Sequence, residues 1–92
     1  MSESAPAVIT EYRNRLGENG KPLPYRKFIA EINKQLPFGI SYTPTPLIAW
    51  ERGTFAIPAD LLFTLSKHAT GWVRDFAVDA LAAIDEDVER RR

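Results

Sequence analysis

The sequence predicts an all-α domain of five helices with a long C-terminal helix. Three observations carry that expectation. Apolar residues return three and four positions apart through separate stretches near 6–16, 24–36, 58–69 and 72–89. A shorter stretch, 43–53, has the punctuation of a helix start and stop: Thr43 as a capping residue, Pro44 at the first helical position, and Gly53 for the positive φ that ends a helix. The last stretch keeps its apolar stripe longest, for about four turns.

Taken in order, Met1 to Ala5 reads as a frayed tail. The first helix is expected from about Pro6 to Leu16, with Val8, Ile9, Tyr12 and Leu16 on one face. Gly17 stops it, and the Gly and Pro content of residues 18–24 marks a loop. The second helix is expected from about Pro24 to Leu36. Tyr25, Phe28, Ile29, Ile32 and Leu36 form its buried stripe, and Arg26, Lys27, Lys34 and Gln35 face outward. Residues 37–42 link it to the short helix that begins at Thr43. In that helix Pro46 still falls within the first turn, where a missing N–H is tolerated. The fourth helix spans about Pro58 to Ala69, with Leu61, Leu62, Leu65 and Ala69 facing inward. His68 near its end fits a surface cation at a helix C-terminus. Thr70 or Gly71 breaks the chain before the fifth helix, about Trp72 to Glu89. Its stripe is Trp72, Phe76, Ala77, Ala80, Leu81, Ile84 and Val88.

A two-turn helix set between longer amphipathic ones is the layout of a helix-turn-helix core. The residues in it sharpen this. Leu47, then Trp50-Glu51-Arg52-Gly53, then Pro58 and the run Leu61-Leu62-Phe63, resemble the Cro and phage-repressor type of DNA-binding domain. The resemblance covers roughly residues 24–70 and is sharpest over 47–58. It implies a repressor-like helix-turn-helix fold. One departure is plain: from Ala30 to Leu47 the chain carries about seven residues more than the family's short turn.

Composition bounds the rest. Ninety-two residues, 45% hydrophobic and 26% charged, suit one globular domain with one small core. The absence of cysteine excludes disulfides, thiolate metal sites and a cysteine nucleophile. No apolar run reaches the ~18 residues of a membrane span and no signal peptide opens the chain, so a cytoplasmic location is the expectation. Net charge is zero, which argues against a nonspecific nucleic-acid coat. The charge is nevertheless uneven. Residues 11–34 hold six basic residues against three acidic, and residues 70–92 hold four against six.

By the resemblance, the Thr43–Arg52 helix would lie in a major groove with its N-terminal residues at the base edges. Pro44, Thr45, Pro46, Ile48 and Ala49 would face the bases and Thr43 a phosphate. None of these is the Arg, Lys, Asn or Gln that pairs bidentately with a purine. Thr45 offers a hydroxyl or a methyl; Pro46, Ile48 and Ala49 offer apolar contact, for example to a thymine methyl. Arg26 stands where the family often has glutamine and would reach a phosphate or a guanine, with Lys27 beside it on a phosphate. Arg52 and Thr54 suit backbone contacts that position the protein. Leu47 and Trp50 are expected to pack between helices, and Glu51 to pair with a basic side chain or cap a neighbouring backbone.

The C-terminal half of the last helix, with Leu81, Ile84 and Val88, is the expected dimer seam. One histidine, no cysteine, no Gly-rich phosphate loop and no acid pair outside the last helix argue against an enzyme, a metal site or a cofactor. The resulting expectation is a dimeric, sequence-specific duplex-DNA binder that regulates transcription by occupying an operator. The competing expectation is a protein-interaction module on the same scaffold that has lost base readout and uses Phe38, Tyr42 and Phe55 as partner contacts.

Overall fold

A computed structural model of the chain describes residues 4–37 and 39–90, with side chains through Asp85. It is all-α, with helices α1 (Ala5–Leu16), α2 (Tyr25–Lys34), α3 (Pro44–Arg52), α4 (Ala59–His68) and α5 (Gly71–Arg90). The boundaries follow from local chemistry. Ser4 caps α1 through its hydroxyl, which accepts from the Ala7 N–H at 3.4 Å, and Pro6 takes an early position where no N–H is needed. Gly17 ends α1 because nothing larger fits: a Cβ there would lie 1.8 Å from the Lys21 carbonyl oxygen. At the end of α3, Gly53 takes φ 77°. The N–H groups of Gly53 and Thr54 then donate to the Trp50 and Ala49 carbonyls at 3.2 and 3.0 Å. That is a Schellman closure.

Four expectations change here. Ser4 and Ala5, expected in a frayed tail, instead cap and open α1, and Ala5 is buried. Thr43 has the extended backbone of a cap, but its side chain makes no capping bond, so Pro44 and not the hydroxyl marks the helix start. α2 stops at Lys34, since Gln35 turns at φ −107° and its side chain, expected to face outward, binds Thr70. Tyr25, Leu36, Trp72, Leu81 and Ile84 are half-buried at the rim of the core and are not enclosed within it. Val88 lies outside the residues whose side chains are described.

The core draws on all five helices. Ile9, Phe28, Ile32, Leu47, Leu62, Leu65 and Val73 are its fully enclosed large side chains. α5 lies against α1 and α4, while α3 lies against α1 and α2. Phe28 sits at the aromatic centre, 4.9 Å from the Trp72 ring and 5.3 Å from Phe76, and Tyr12 meets Phe76 edge-on at 5.6 Å. These tilted and edge-to-face pairs join α1, α2 and α5. Buried Tyr12 donates its hydroxyl to Asp79 on α5. Burial first, and then that carboxylate, push the Tyr12 phenol up to about 12. No helix among the described residues is long and apolar enough to cross a membrane.

Candidate nucleic-acid interface

The geometry of the surface around α3 follows from how that helix is held. Leu47 and Trp50 point inward and are buried, as their spacing requires. Beside Trp50, Glu51 enters a cluster built from three helices and a loop. Arg13 Nη1 on α1 donates to both Glu51 carboxylate oxygens at 2.9 Å. Thr10 donates to Glu51 Oε2 at 3.1 Å, and the Tyr25 hydroxyl at the start of α2 donates to Oε1. Arg13 is itself fixed: its guanidinium lies 3.7 Å over the Tyr25 ring, and its Nε donates to the Leu23 carbonyl at 2.9 Å. The two charged side chains are only 12% and 11% exposed. An ion pair this enclosed is tolerable because its lone pairs and protons find partners.

The electrostatics agree with the contacts. Burial alone would raise the Glu51 carboxyl, but hydrogen bonds from Tyr25 and Arg13, the Arg13 charge and the Thr10 hydroxyl outweigh it and hold the carboxyl below its ordinary value. The Tyr25 phenol moves up, chiefly because it donates to Glu51 and then because it is partly buried.

The opposite end of α3 is anchored differently. Asn33 on α2 accepts from the Tyr42 N–H at 2.8 Å and donates to the Tyr42 carbonyl at 2.9 Å. The Tyr42 ring meets Trp50 edge-on at 5.5 Å. Tyr42 is therefore half-buried and committed within the chain, which removes it from the exposed partner contacts expected of the interaction module. Phe38 lies outside the described residues, and Phe55, 68% exposed, keeps the expected position.

With the inner face settled, the outer face is defined. Thr45, Ile48, Ala49 and Arg52 fall three or four positions apart on the side away from Leu47 and Trp50. Thr43, Thr45, Arg52 and Thr54 are exposed; Pro44, Pro46, Ile48 and Ala49 are half-buried. Arg26 and Lys27 are exposed at the start of α2. The Tyr25–Glu51 hydrogen bond brings the start of α2 to the C-terminal part of α3, so Arg26 and Lys27, next after Tyr25, and Arg52, next after Glu51, flank the same junction in sequence. Arg52 puts positive charge at the C-terminal end of α3, roughly 12 Å along the helix from Pro44 by the ordinary rise per residue.

Ion pairing sharpens this distribution. Arg13 is taken by Glu51, Arg15 by Glu11 and Lys34 by Glu31. Among the described residues, Lys21, Arg26, Lys27, Arg52, Lys67 and Arg74 have no such partner. Lys21 escaped the sequence reading, and it lines one shallow groove together with Lys27. The Arg13–Glu51 pair also escaped it, because its members are 38 positions apart. A faint signal existed: Arg13 falls four residues after buried Ile9 and one after buried Tyr12, at the border of the inward face.

Of the expected dimer seam, Leu81 and Ile84 pack partly on the chain's own core. Ile84 also lines an apolar groove of about 420 Å³ with Ala5, Trp50, Phe55 and Ile57. His68 is exposed at the end of α4, and the described residues contain no group of three His, Asp or Glu able to hold a metal ion. No family model matches the chain, and neither curated proteins nor solved structures give a match.

Proposed function

We propose that this chain is a cytoplasmic, repressor-like helix-turn-helix protein that binds duplex DNA sequence-specifically and regulates transcription by occupying an operator. The observation that carries the reading is one juxtaposition. An inwardly locked α3 turns a stripe of Thr45, Ile48, Ala49 and Arg52 outward, and the exposed cations Arg26, Lys27 and Arg52 flank the Tyr25–Glu51 junction between α2 and α3. A helix presented in this way fits the major groove, and cations beside it fit phosphate. The cations supply affinity and the salt dependence that goes with it. Thr45 and the apolar positions supply contacts to base edges, chiefly thymine methyls. Two copies joined through α5 place two such helices about one helical turn (~34 Å) apart.

Selection from a pool of random duplexes at graded salt tests this. The expected result is a palindrome with affinity that falls steeply as salt rises. Retention of no duplex even at low salt would defeat the reading.

One observation favours a second reading, the protein-interaction module. Phe55 stands largely exposed at the lip of the apolar groove that Trp50, Ile57 and Ile84 also line, and the outer stripe of α3 before Arg52 is uncharged. On that reading a partner occupies the Phe55 surface, binding responds little to salt, and Arg26→Ala and Arg52→Ala leave it unchanged.

A further inference from the structure

The stretch between α2 and α3 is anchored on both sides by the same device. Gln35 accepts from the Thr70 N–H at 2.6 Å and donates to the Thr70 carbonyl at 3.3 Å. Asn33 does the same for the N–H and carbonyl of Tyr42. A side-chain amide that satisfies both backbone groups of one residue fixes the position and register of that residue. The Ile40 N–H adds a turn bond to the Pro37 carbonyl at 3.2 Å. Held in this way, Ile40 and Ser41 are nonetheless presented to solvent, and Ile40 is 49% exposed. Thr43 is three positions after Ile40, a reach of at most about 10 Å even fully extended. Ile40 therefore stands beside the start of α3, the end that the DNA-binding reading puts deepest into the groove.

We infer that Ile40 is a specificity residue of the proposed DNA site, packing on a thymine methyl at the edge of the half-site read by α3. The inference rests on that DNA-binding reading. The chemistry selects the ligand. Neither Ile40 nor Ser41 carries charge, so this segment adds nothing to the general attraction for phosphate. The apolar group that a base pair displays in the major groove is the thymine 5-methyl. The outer positions of α3 itself, Ile48 and Ala49, are also apolar, so the recognised half-site is rich in thymine at its edge. The Ser41 hydroxyl, on the same exposed segment, suits the flanking phosphate.

The test uses the full chain and the duplex it selects. Each thymine of that duplex is replaced in turn by deoxyuridine, which removes the methyl and keeps the pairing. Affinity is measured for the parent and for Ile40→Ala. One replacement per half-site should weaken the parent about fourfold, the effect of one buried methyl-sized group. Ile40→Ala, which loses the contact in both protomers, should be weaker on the parent duplex by about the square of that factor, insensitive to that replacement, and unchanged in salt slope. Because Ile40 is exposed, the variant should melt with the parent. Parent and variant that respond alike to every replacement would overturn the role of Ile40 while leaving DNA binding intact. Failure of the parent to select any duplex would overturn the DNA-binding reading itself, and this inference with it.

Discussion

On the inner side of α3, Leu47 and Trp50 are sealed from solvent, and Glu51 beside them spends its charge on Arg13, Tyr25 and Thr10. On the outer side, Thr45 and Arg52 face solvent with no ion partner among the described residues, and the Thr43 hydroxyl does not cap its own helix. One nine-residue helix thus carries two regimes of chemistry. Buried polar groups must be satisfied within the chain and so are committed to structure. Exposed groups left without internal partners are the ones available to a ligand. Trp50 and Glu51, the residues most prominent in the sequence motif, therefore speak to stability. Quieter residues such as Thr45 and Arg26 are the ones free to act.

The largest effect should come from breaking the inner side. Trp50→Ala removes a buried ring that packs against Tyr42 and should cost about 3–5 kcal/mol in denaturant unfolding. A variant as stable as the parent would remove Trp50 from the core. Glu51→Gln follows, at about 3 kcal/mol, because it leaves the enclosed Arg13 guanidinium without its counter-charge.

The same carboxylate makes stability depend on pH in a defined direction. Its folded-state value lies below its ordinary value of 4.5, so its contribution is complete above that pH and disappears as the pH falls further. Thermal melts of the parent from pH 7 to pH 3 should show this loss. Glu51→Gln should lose less over the same range, and parallel curves would show that Glu51 is not the group responsible.

Changes on the outer side should reverse the pattern. Arg26→Ala should shift the melting temperature by no more than a degree or two, as exposed substitutions do. It should weaken DNA binding and lower the salt slope by about 1 for each protomer if Arg26 meets a phosphate. Unchanged affinity would remove Arg26 from the interface. The smallest effect expected is that of Thr43→Ala on stability. Its hydroxyl makes no bond to the helix, so the roughly 1 kcal/mol that a capping threonine ordinarily contributes should be missing from unfolding measurements.

Much of the architecture was readable because it depends on local rules. Gly53 adopts the left-handed conformation that its place after Arg52 implies, and Leu61, Leu62, Leu65 and Ala69 bury the face that their spacing marks. Pro44 opens α3. Other features were not readable, because they join residues remote in sequence. Nothing near Gln35 announces Thr70, and nothing near Asn33 requires that its amide close on Tyr42. The outward-facing pattern of α2 placed Gln35 in solvent, yet a hydrogen bond across the fold decides its position. Lys21 and Lys27, six positions apart in sequence, line one groove only because the loop after α1 folds back beside α2.

The sequence by itself determined five helices, their order and the faces they bury, since periodicity, proline and glycine act within a turn or two of where they stand. Only the tertiary structure decided which charges are spent and which are free. Opposite charges neutralise one another by distance in space, and folding brought Arg13 to Glu51 while leaving Arg26, Lys27 and Arg52 exposed, flanking the junction between α2 and α3.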